Sequence, residues 1–501
     1  MKNNSVLIIG AGVGGLAVGI RLAAEGFRVR IIEKNQNAGG WLQPTKLGGV
    51  VFPNAGSLIT MPQQIDDLFE SVGRSAADYL VLEEFSPIIR FIFPEENEYT
   101  LYREAADTLM KNSLFEDQIQ DQQGYAAYGK RSDYILDEYF SKFFSRPYRR
   151  NRNPFASEFG FRSLRPGRSG RTVSERLFSS EELRRVHSFW PMFCGGRPSV
   201  SSHFYRVLPA AMQRWGVFRA RGGAEAFIDA LVKLFLECGG EIQYNSEAEA
   251  IQVYNGSVTG VRLTDNSIRM ADYVISDADT AYTCRELIDS DRFRYSTVEA
   301  AQLRKPGISL FIYHMLLRTP PVEKRPLIGV NVIMPQDRKQ WERELFEENR
   351  LPDHLLFYLN CPGKIDPAFV PEGVGALSVI CPVPNLDSEV NWPRESYHFR
   401  NRILNVLQEY FENDLRSDLI GERYVTPVML HDNFNSYMGA AWGFGPNQDH
   451  TEVPRLANRC ADIQNLYLVG SGSHPGPFIP GVLQGAEIVA GEIKSRREDL
   501  I

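Results

Sequence analysis

Residues 6–40, VLIIGAGVGGLAVGIRLAAEGFRVRIIEKNQNAGG, constrain the fold more than any other part of the chain. The unbroken apolar run at 6–9 suits a parallel strand covered on both faces. Gly10, Gly12 and Gly15 follow on the spacing G-x-G-x-x-G and open an amphipathic segment that ends near Gly26. A second apolar run at 29–32 leads into Glu33, 23 residues past Gly10. Each part has a physical task in gripping a dinucleotide. Gly10 permits the tight turn, Gly12 lets backbone N–H groups approach a pyrophosphate, and Gly15 lets the helix lie close on the strand. The helix N-terminus offers free N–H donors and partial positive charge to phosphate, and Glu33 can accept from ribose hydroxyls. Spaced glycines alone are common in loops. Strand, glycines, helix, strand and terminal acid in this order predict a βαβ nucleotide-binding unit.

At 501 residues the chain exceeds a single core, so two or three domains are expected. Its 43% hydrophobic and 23% charged residues are ordinary for a globular protein. The net charge of −7 gives no general reason to expect a nucleic-acid partner. Six cysteines without a C-x-x-C pair and eight histidines without ligand spacing suit a reducing compartment, with no disulfide framework and no metal site expected. No run reaches the roughly 20 apolar residues of a membrane span. The run after Lys2 has no cleavage-like small-residue site, so the expected location is cytoplasmic.

Beyond Gly40 the pattern predicts a helix at 64–73, strands within 80–102 around a turn at 94–97, and mainly helix from 104 to 192. Arg221-Gly222-Gly223 opens a helix at 224–237, and Glu225 there reads as a first-turn acid. Short strands follow near 241–244, 248–254, 258–263 and 272–276, with Asn255-Gly256 as a hairpin turn. Alternation from 308 to 384 indicates an antiparallel sheet, 397–415 reads as helix, 466–469 as strand and 481–497 as helix. One strand–glycine–helix unit therefore sits at each end of the chain. The expectation is a single sheet assembled from distant segments, with the middle building a substrate chamber.

The tail NLYLVGSGSHPGPFIPGVLQGAEIVAGEI selects among dinucleotides. A nicotinamide enzyme needs no such closing segment. A flavoprotein can use it: a strand ending in Gly470-Ser471 returns to the pyrophosphate and ribityl chain, and a helix starting near Gly481-Val482 points its N–H groups at the flavin. That edge of the ring gains negative charge on reduction, which a helix N-terminus favours. Half a second fingerprint, Gly373 and Gly375, lacks a third glycine and a helix. Reoxidation by quinone or oxygen, rather than by NAD(P), is therefore expected.

These segments, together with SLITMP (57–62), HSFWPMFCGG (187–196), FRARGGAEAF (218–227), ADYVISDAD (271–279), PEGVGALSVICPVPNL (371–386) and YVTPVMLHDNFNSYMGAAWG (424–443), make the chain similar over nearly its whole length to the bacterial phytoene desaturase-type carotenoid desaturases, within the amine-oxidase-like flavoproteins. The resemblance implies an α/β fold. A Rossmann-like FAD-binding domain of glutathione-reductase/amine-oxidase type would comprise 1–80, 220–300 and 425–501. A mixed-sheet substrate domain would comprise 81–105, 200–219 and 301–424, and a helical, membrane-docking subdomain 106–199. By position, Gly10, Ala11, Gly12, Gly15, Glu33, Lys34, Gly40 and Trp41 correspond to the ADP side of FAD, and the backbone of Ala248 to the adenine contact. Gly470, Ser471, Pro480, Gly481 and Val482 correspond to the flavin side. Two features depart from the family. Trp41 stands where relatives carry an arginine, and Phe52-Pro53-Asn54-Ala55-Gly56-Ser57 replaces F-D-x-G-P-[ST]. An indole cannot act as a charged fork.

The implied reaction oxidises a CH2–CH2 unit flanked by double bonds, with hydride passing to the flavin and an adjacent proton lost. Such chemistry rests on the cofactor, and no strong base is named by the sequence; His474 is the one candidate, against the reading that it holds the Pro-Gly loop. Same-scaffold isomerase, dehydroxylase and terminal-methyl oxidase chemistry stay open, as do an amine oxidase and a prenyl-binding carrier without FAD. The stretch 146–185 carries eleven Arg and four Glu, with Phe and Tyr interleaved. This composition suits docking on an anionic membrane surface or a solvated basic face that pairs with the chain's own acids, with nucleic acid not expected. The protein is expected to be cytoplasmic and peripherally membrane-associated, acting on a lipophilic polyene.

Overall fold

The computed structural model describes residues 4–53, 58–148, 169–289, 305–445 and 455–499. At the N-terminus β1 (Ser5–Ile9), α1 (Val13–Ala24) and β2 (Arg28–Ile32) form the expected βαβ unit. The same sheet is completed by segments far along the chain: α2 (Gly223–Glu237) leading into β3 (Glu241–Gln243), then β4 (Tyr273–Ser276), and β5 (Leu466–Leu468) leading into α3 (Ile479–Asp499). The strand order is β3-β2-β1-β4-β5, and every pairing is parallel. Alternate residues of β1 serve two cores. Val6 and Ile8 pack with α1, α2 and α3, through Leu16, Leu231 and Leu483 among others. Leu7 and Ile9 face a three-stranded antiparallel layer (Ala248–Tyr254, Ser257–Leu263, Ile268–Met270) through Val261 and Leu263. Cover on both faces is the reason that β1 reads as continuous apolar residues.

A second sheet of seven strands runs Leu419–Val425, Ser309–Leu317, Gly375–Val383, Phe357–Asn360, Val330–Ile333, Ile89–Ile92, Glu98–Leu101. It is antiparallel except where Val330–Ile333 pairs with Ile89–Ile92. One face, with Phe311, Tyr313, Phe357 and Val379, packs on helix Trp392–Leu407. The opposite face, with Leu310, Ile312, Tyr358 and Ile380, turns toward the nucleotide-binding sheet and the helical region. That region contains Ile119–Tyr139, Gly170–Leu177, Glu181–Phe189 and Val207–Trp215.

Some boundaries differ from expectation for physical reasons. Helix Val207–Trp215, grouped above with the sheet residues 200–219, packs on helix Ile119–Tyr139 through Ile135, Leu136, Val207 and Ala210. The helix expected over 397–415 starts at Trp392, where the Asn391 side chain caps it by accepting from the Arg394 N–H. It ends at Leu407 because the Gln408 side chain donates to the Phe411 and Asn413 carbonyls and accepts from the Leu415 N–H, turning the chain. Of the arginine-rich stretch 146–185, residues 149–168 lie outside the described residues.

Phe311 is fully buried and stacks on both Trp392 (5.8 Å) and Tyr424 (5.5 Å) on the face away from the nucleotide-binding sheet. Phe311→Ala is expected to lower unfolding free energy by about 3–5 kcal/mol. Met270→Ala, at a side chain 71% exposed, should stay within about 0.5 kcal/mol. Urea titrations followed by tryptophan fluorescence measure both.

Candidate functional site

One cavity of about 460 Å³ runs from the C-terminal ends of the parallel strands to the inner face of the seven-stranded sheet. Ligands of open parallel sheets bind at such strand ends. The loop between β1 and α1 forms its floor. Gly10 sits at φ +94° and its N–H donates to the Ile32 carbonyl (2.8 Å), tying the turn to β2. A Cβ on Gly15 would overlap the Gly10 carbonyl oxygen, and one on Gly12 or Gly14 would strike the Asp277 carboxyl. The helix therefore lies close on the strand at Gly15, as expected, and Gly14, outside the motif, is constrained too.

Glu33 is 5% exposed and lines the cavity. Its Oε2 accepts from the Ala11 N–H (2.8 Å) and its Oε1 from the Asn35 N–H (2.9 Å). A carboxylate has about four lone-pair sites, so capacity remains for ribose hydroxyls. Ala248, with Ser246 and Glu247, lines the same end, and the Ser246 N–H donates to the Glu33 carbonyl (2.8 Å). Gly39, at φ +115°, donates to the Ala11 carbonyl (2.8 Å) and brings Gly40 beside Gly12. At the other side Gly470 (φ +93°) and Ser471 follow β5, and Ile479, Pro480 and Val482 present the start of α3 to the cavity. Gly481, one step inside that helix, packs on the Gly476 carbonyl and does not line the cavity. The helix begins at Ile479, two residues before the expected Gly481.

Three expected residues are placed differently from a simple ligand set. The Lys34 Nζ donates to the Asp432 carbonyl (2.8 Å) and the Asn435 side chain and pairs with Glu247 (3.3 Å), so it latches residues 432–435 across the cavity wall. Trp41 stacks on Phe434 (5.7 Å, 28°) and makes that wall aromatic. His474, the acid–base candidate, does not line the cavity. It is 1% exposed, its Nε2–H donates to the Arg146 carbonyl (2.9 Å), and its ring meets Phe143 edge-on (4.4 Å). Burial lowers its pKa from 6.5 to about 4, so it is neutral at pH 7 and anchors the loop before α3.

Sequence reasoning missed two carboxyls, Asp277 and Asp279, which line the cavity just after β4. Burial raises Asp277 to about 7 and Asp279 to about 6. The available signal was their place directly beyond a parallel strand. Away from the nucleotide loop the lining becomes apolar, with Phe193, Leu208, Leu310, Tyr358, Ile380 and Trp442 prominent.

Known proteins resolve what this arrangement serves. The family model for flavin containing amine oxidoreductases matches residues 13–494. The chain belongs to this family. It is 30% identical, over 97% of its length and 98% of the relative's, to the phytoene desaturase (lycopene-forming) of Pseudescherichia vulneris. It is 29% identical, over 99% of both chains, to the corresponding enzyme of Pantoea ananas. An oxidoreductase from Methanosarcina mazei shares the fold, with TM-score 0.63 and 18% identity over 97% of this chain and 100% of that one. The flavoprotein's cavity suits its family's cofactor: glycines without side chains at the start of α1, a carboxylate at the end of β2, and a second helix start at the far end. The protein is an FAD-dependent oxidoreductase. No helix among the described residues is long and apolar enough to cross a membrane.

Gly15→Val is expected to cost at least tenfold in FAD affinity, and the purified variant should lack flavin absorbance. His474 contributes stability that is fully present above pH 6.5 and is lost as pH falls through about 4, because the folded state holds its imidazole neutral. His474→Gln keeps a donor for the Arg146 carbonyl without titrating. It should remove a share of up to about 3 kcal/mol from the loss of unfolding free energy between pH 6.5 and 4.

Proposed function

We propose that this protein is a desaturase that introduces double bonds into a carotenoid or related long polyene. The observation carrying the reading is the character of the chamber. It opens directly from the nucleotide cradle, and away from that cradle none of its described lining side chains is charged. A polyene gains about 25 cal/mol for each Å² of apolar surface it buries there. An ammonium substrate would shed its hydration with no carboxylate opposite it in that part of the chamber, at a cost of several kcal/mol. The relatives' names, both phytoene desaturases, agree with the apolar reading.

Bound FAD supplies a two-electron acceptor. The chain's own groups bind and orient. Gly10, Ala11, Gly12 and Gly15 would allow close backbone approach to the phosphates, Glu33 would take ribose hydroxyls, and Ala248 would flank the adenine. Gly40, Lys34 and Trp41 close the wall over the ADP half. Gly470 and Ser471 follow the ribityl chain. The start of α3, which reaches the cavity through Ile479, Pro480 and Val482, would turn the positive end of a helix dipole toward the flavin edge that gains negative charge on reduction. The face of the seven-stranded sheet orders the polyene and excludes water. A side-chain base is unnecessary when the departing proton is acidified by a neighbouring delocalised cation.

With no complete second dinucleotide motif in the sequence, quinone or oxygen is the terminal acceptor. The arginine- and aromatic-rich stretch 146–185 supports docking on an anionic membrane from the cytoplasmic side, where a lipid-soluble substrate is reached.

Expression in cells supplied with phytoene, neurosporene, hydroxylated carotenoids or diapophytoene should yield pigment that has lost two hydrogens per step, read by mass and absorption. Gain of oxygen or loss of water would replace this reading with same-scaffold oxidase or dehydroxylase chemistry. In flotation assays the protein should rise with anionic liposomes and not with neutral ones; equal behaviour would remove electrostatic docking.

A further inference from the structure

Asp277 has the setting of a ligand that the motif-based site leaves out. It stands one residue beyond β4, with its N–H donating to the Ile9 carbonyl (2.8 Å), so its side chain projects into the β1–α1 loop. Three glycines make room for it: a Cβ on Gly12, Gly14 or Gly470 would strike one of its carboxyl oxygens. The carboxyl is partly buried between the β1–α1 loop and Gly470 and is open to the cavity. It therefore shares the N-terminus of α1 with whatever phosphate binds there.

Among the described residues the charges around it are one-sided. Glu33 at the end of β2 adds negative potential. Lys34 next to it is committed to the Asp432 carbonyl, Asn435 and Glu247. Asp279, two residues on, accepts from the Tyr282 N–H and has Arg455 on its own side, and His474 after β5 is neutral and bound to the Arg146 carbonyl. The first turn of α1 brings no acid. Donation from the Gly12 and Gly15 N–H groups favours the carboxylate, burial and Glu33 oppose it, and the balance holds the group near 7. A pyrophosphate brings two further negative charges to the same helix end, with no uncommitted cation among these neighbours.

We propose that Asp277 is a cofactor-binding residue that meets the FAD pyrophosphate as a protonated carboxyl, donating a hydrogen bond beside the glycine N–H groups, so that FAD capture takes up one proton from solvent. The inference concerns cofactor binding alone and stands whichever substrate is oxidised. The sign follows from linkage: a ligand that raises a group's pKa binds more weakly as pH rises above the free-state value.

The test is titration of FAD into apoprotein at constant ionic strength from pH 5.5 to 9, followed by flavin fluorescence. The wild-type Kd should be level up to about pH 6 and rise by up to about tenfold per unit above about 7. Asp277→Asn, which keeps a donor and cannot ionise, should bind with a Kd independent of pH and near the wild-type value at low pH. A level wild-type profile, or an Asp277→Asn profile with the same slope, overturns the proposal. A second measurement needs only the wild type: calorimetry at pH 8 in buffers of differing ionisation enthalpy should show net proton uptake approaching one per FAD. No uptake also overturns it.

Discussion

Backbone N–H groups at the start of α1 are the interaction on which the rest of the molecule depends. Those of Gly12 and Gly15 turn to the Asp277 carboxyl, and any anion that joins it there needs the loop kept clear of side chains at its glycines, a requirement that propagates outward. Gly15 has no Cβ because the Gly10 carbonyl lies where it would be, and Gly12 and Gly14 have none because Asp277 does. Asp277 is there because β4 pairs with β1 in the register Val6–Tyr273 through Ile9–Ser276. β5 then pairs with β4 and delivers Gly470 to the same carboxyl and α3 to the far end of the cavity. Residues more than 450 positions apart thus meet at one helix terminus. Apart from β3 and β4, which complete this sheet, much of the long middle of the chain is left to build the chamber.

The chamber inherits its chemistry from the second sheet. Alternation in Phe357–Asn360 sends Phe357 and Leu359 into the core under helix Trp392–Leu407 and Tyr358 and Asn360 toward the cavity. Gly375–Val383 and Ser309–Leu317 do the same with Ile380 and Leu310. A strand surface fixed on one side by a packed core is a rigid floor, and rigidity at an apolar floor is what positions a substrate that offers few groups for hydrogen bonding.

How far the sequence discloses this depends on the range of each contact. β1, α1, β2 and Glu33 are legible because their signals lie within about 30 residues and each residue type has a local reason to be there. The C-terminal strand–helix is legible for the same reason. Asp277 looks like any loop acid until the β1–β4 register places it under the glycines. Lys34 looks like a phosphate ligand until residues 432–435 arrive to occupy it, and His474 looks catalytic until the Arg146 carbonyl and Phe143 claim both its proton and its face. A polar side chain's partners are set by tertiary neighbours, so motif spacing alone overstates how many are free to bind.

Trp41 ties these strands together. With an indole at position 41, the cavity wall gains a stacked aromatic pair with Phe434 and carries no positive charge there. Lys34 does not supply the missing charge, since it is bonded across to Asn435 and Glu247. Glu33 adds negative potential at the same end. The cofactor's phosphates must therefore be balanced mainly by neutral donors, which are the N–H groups of the glycine loop and the dipole of α1. A second carboxylate cannot be sustained in such a place beside a bound pyrophosphate, whereas a carboxylic acid can. The neutral wall at Trp41 and the close seating of Asp277 beneath the glycine loop are consistent with one electrostatic solution, in which hydrogen-bond donors and the proton proposed for Asp277 do the work of fixed positive charge.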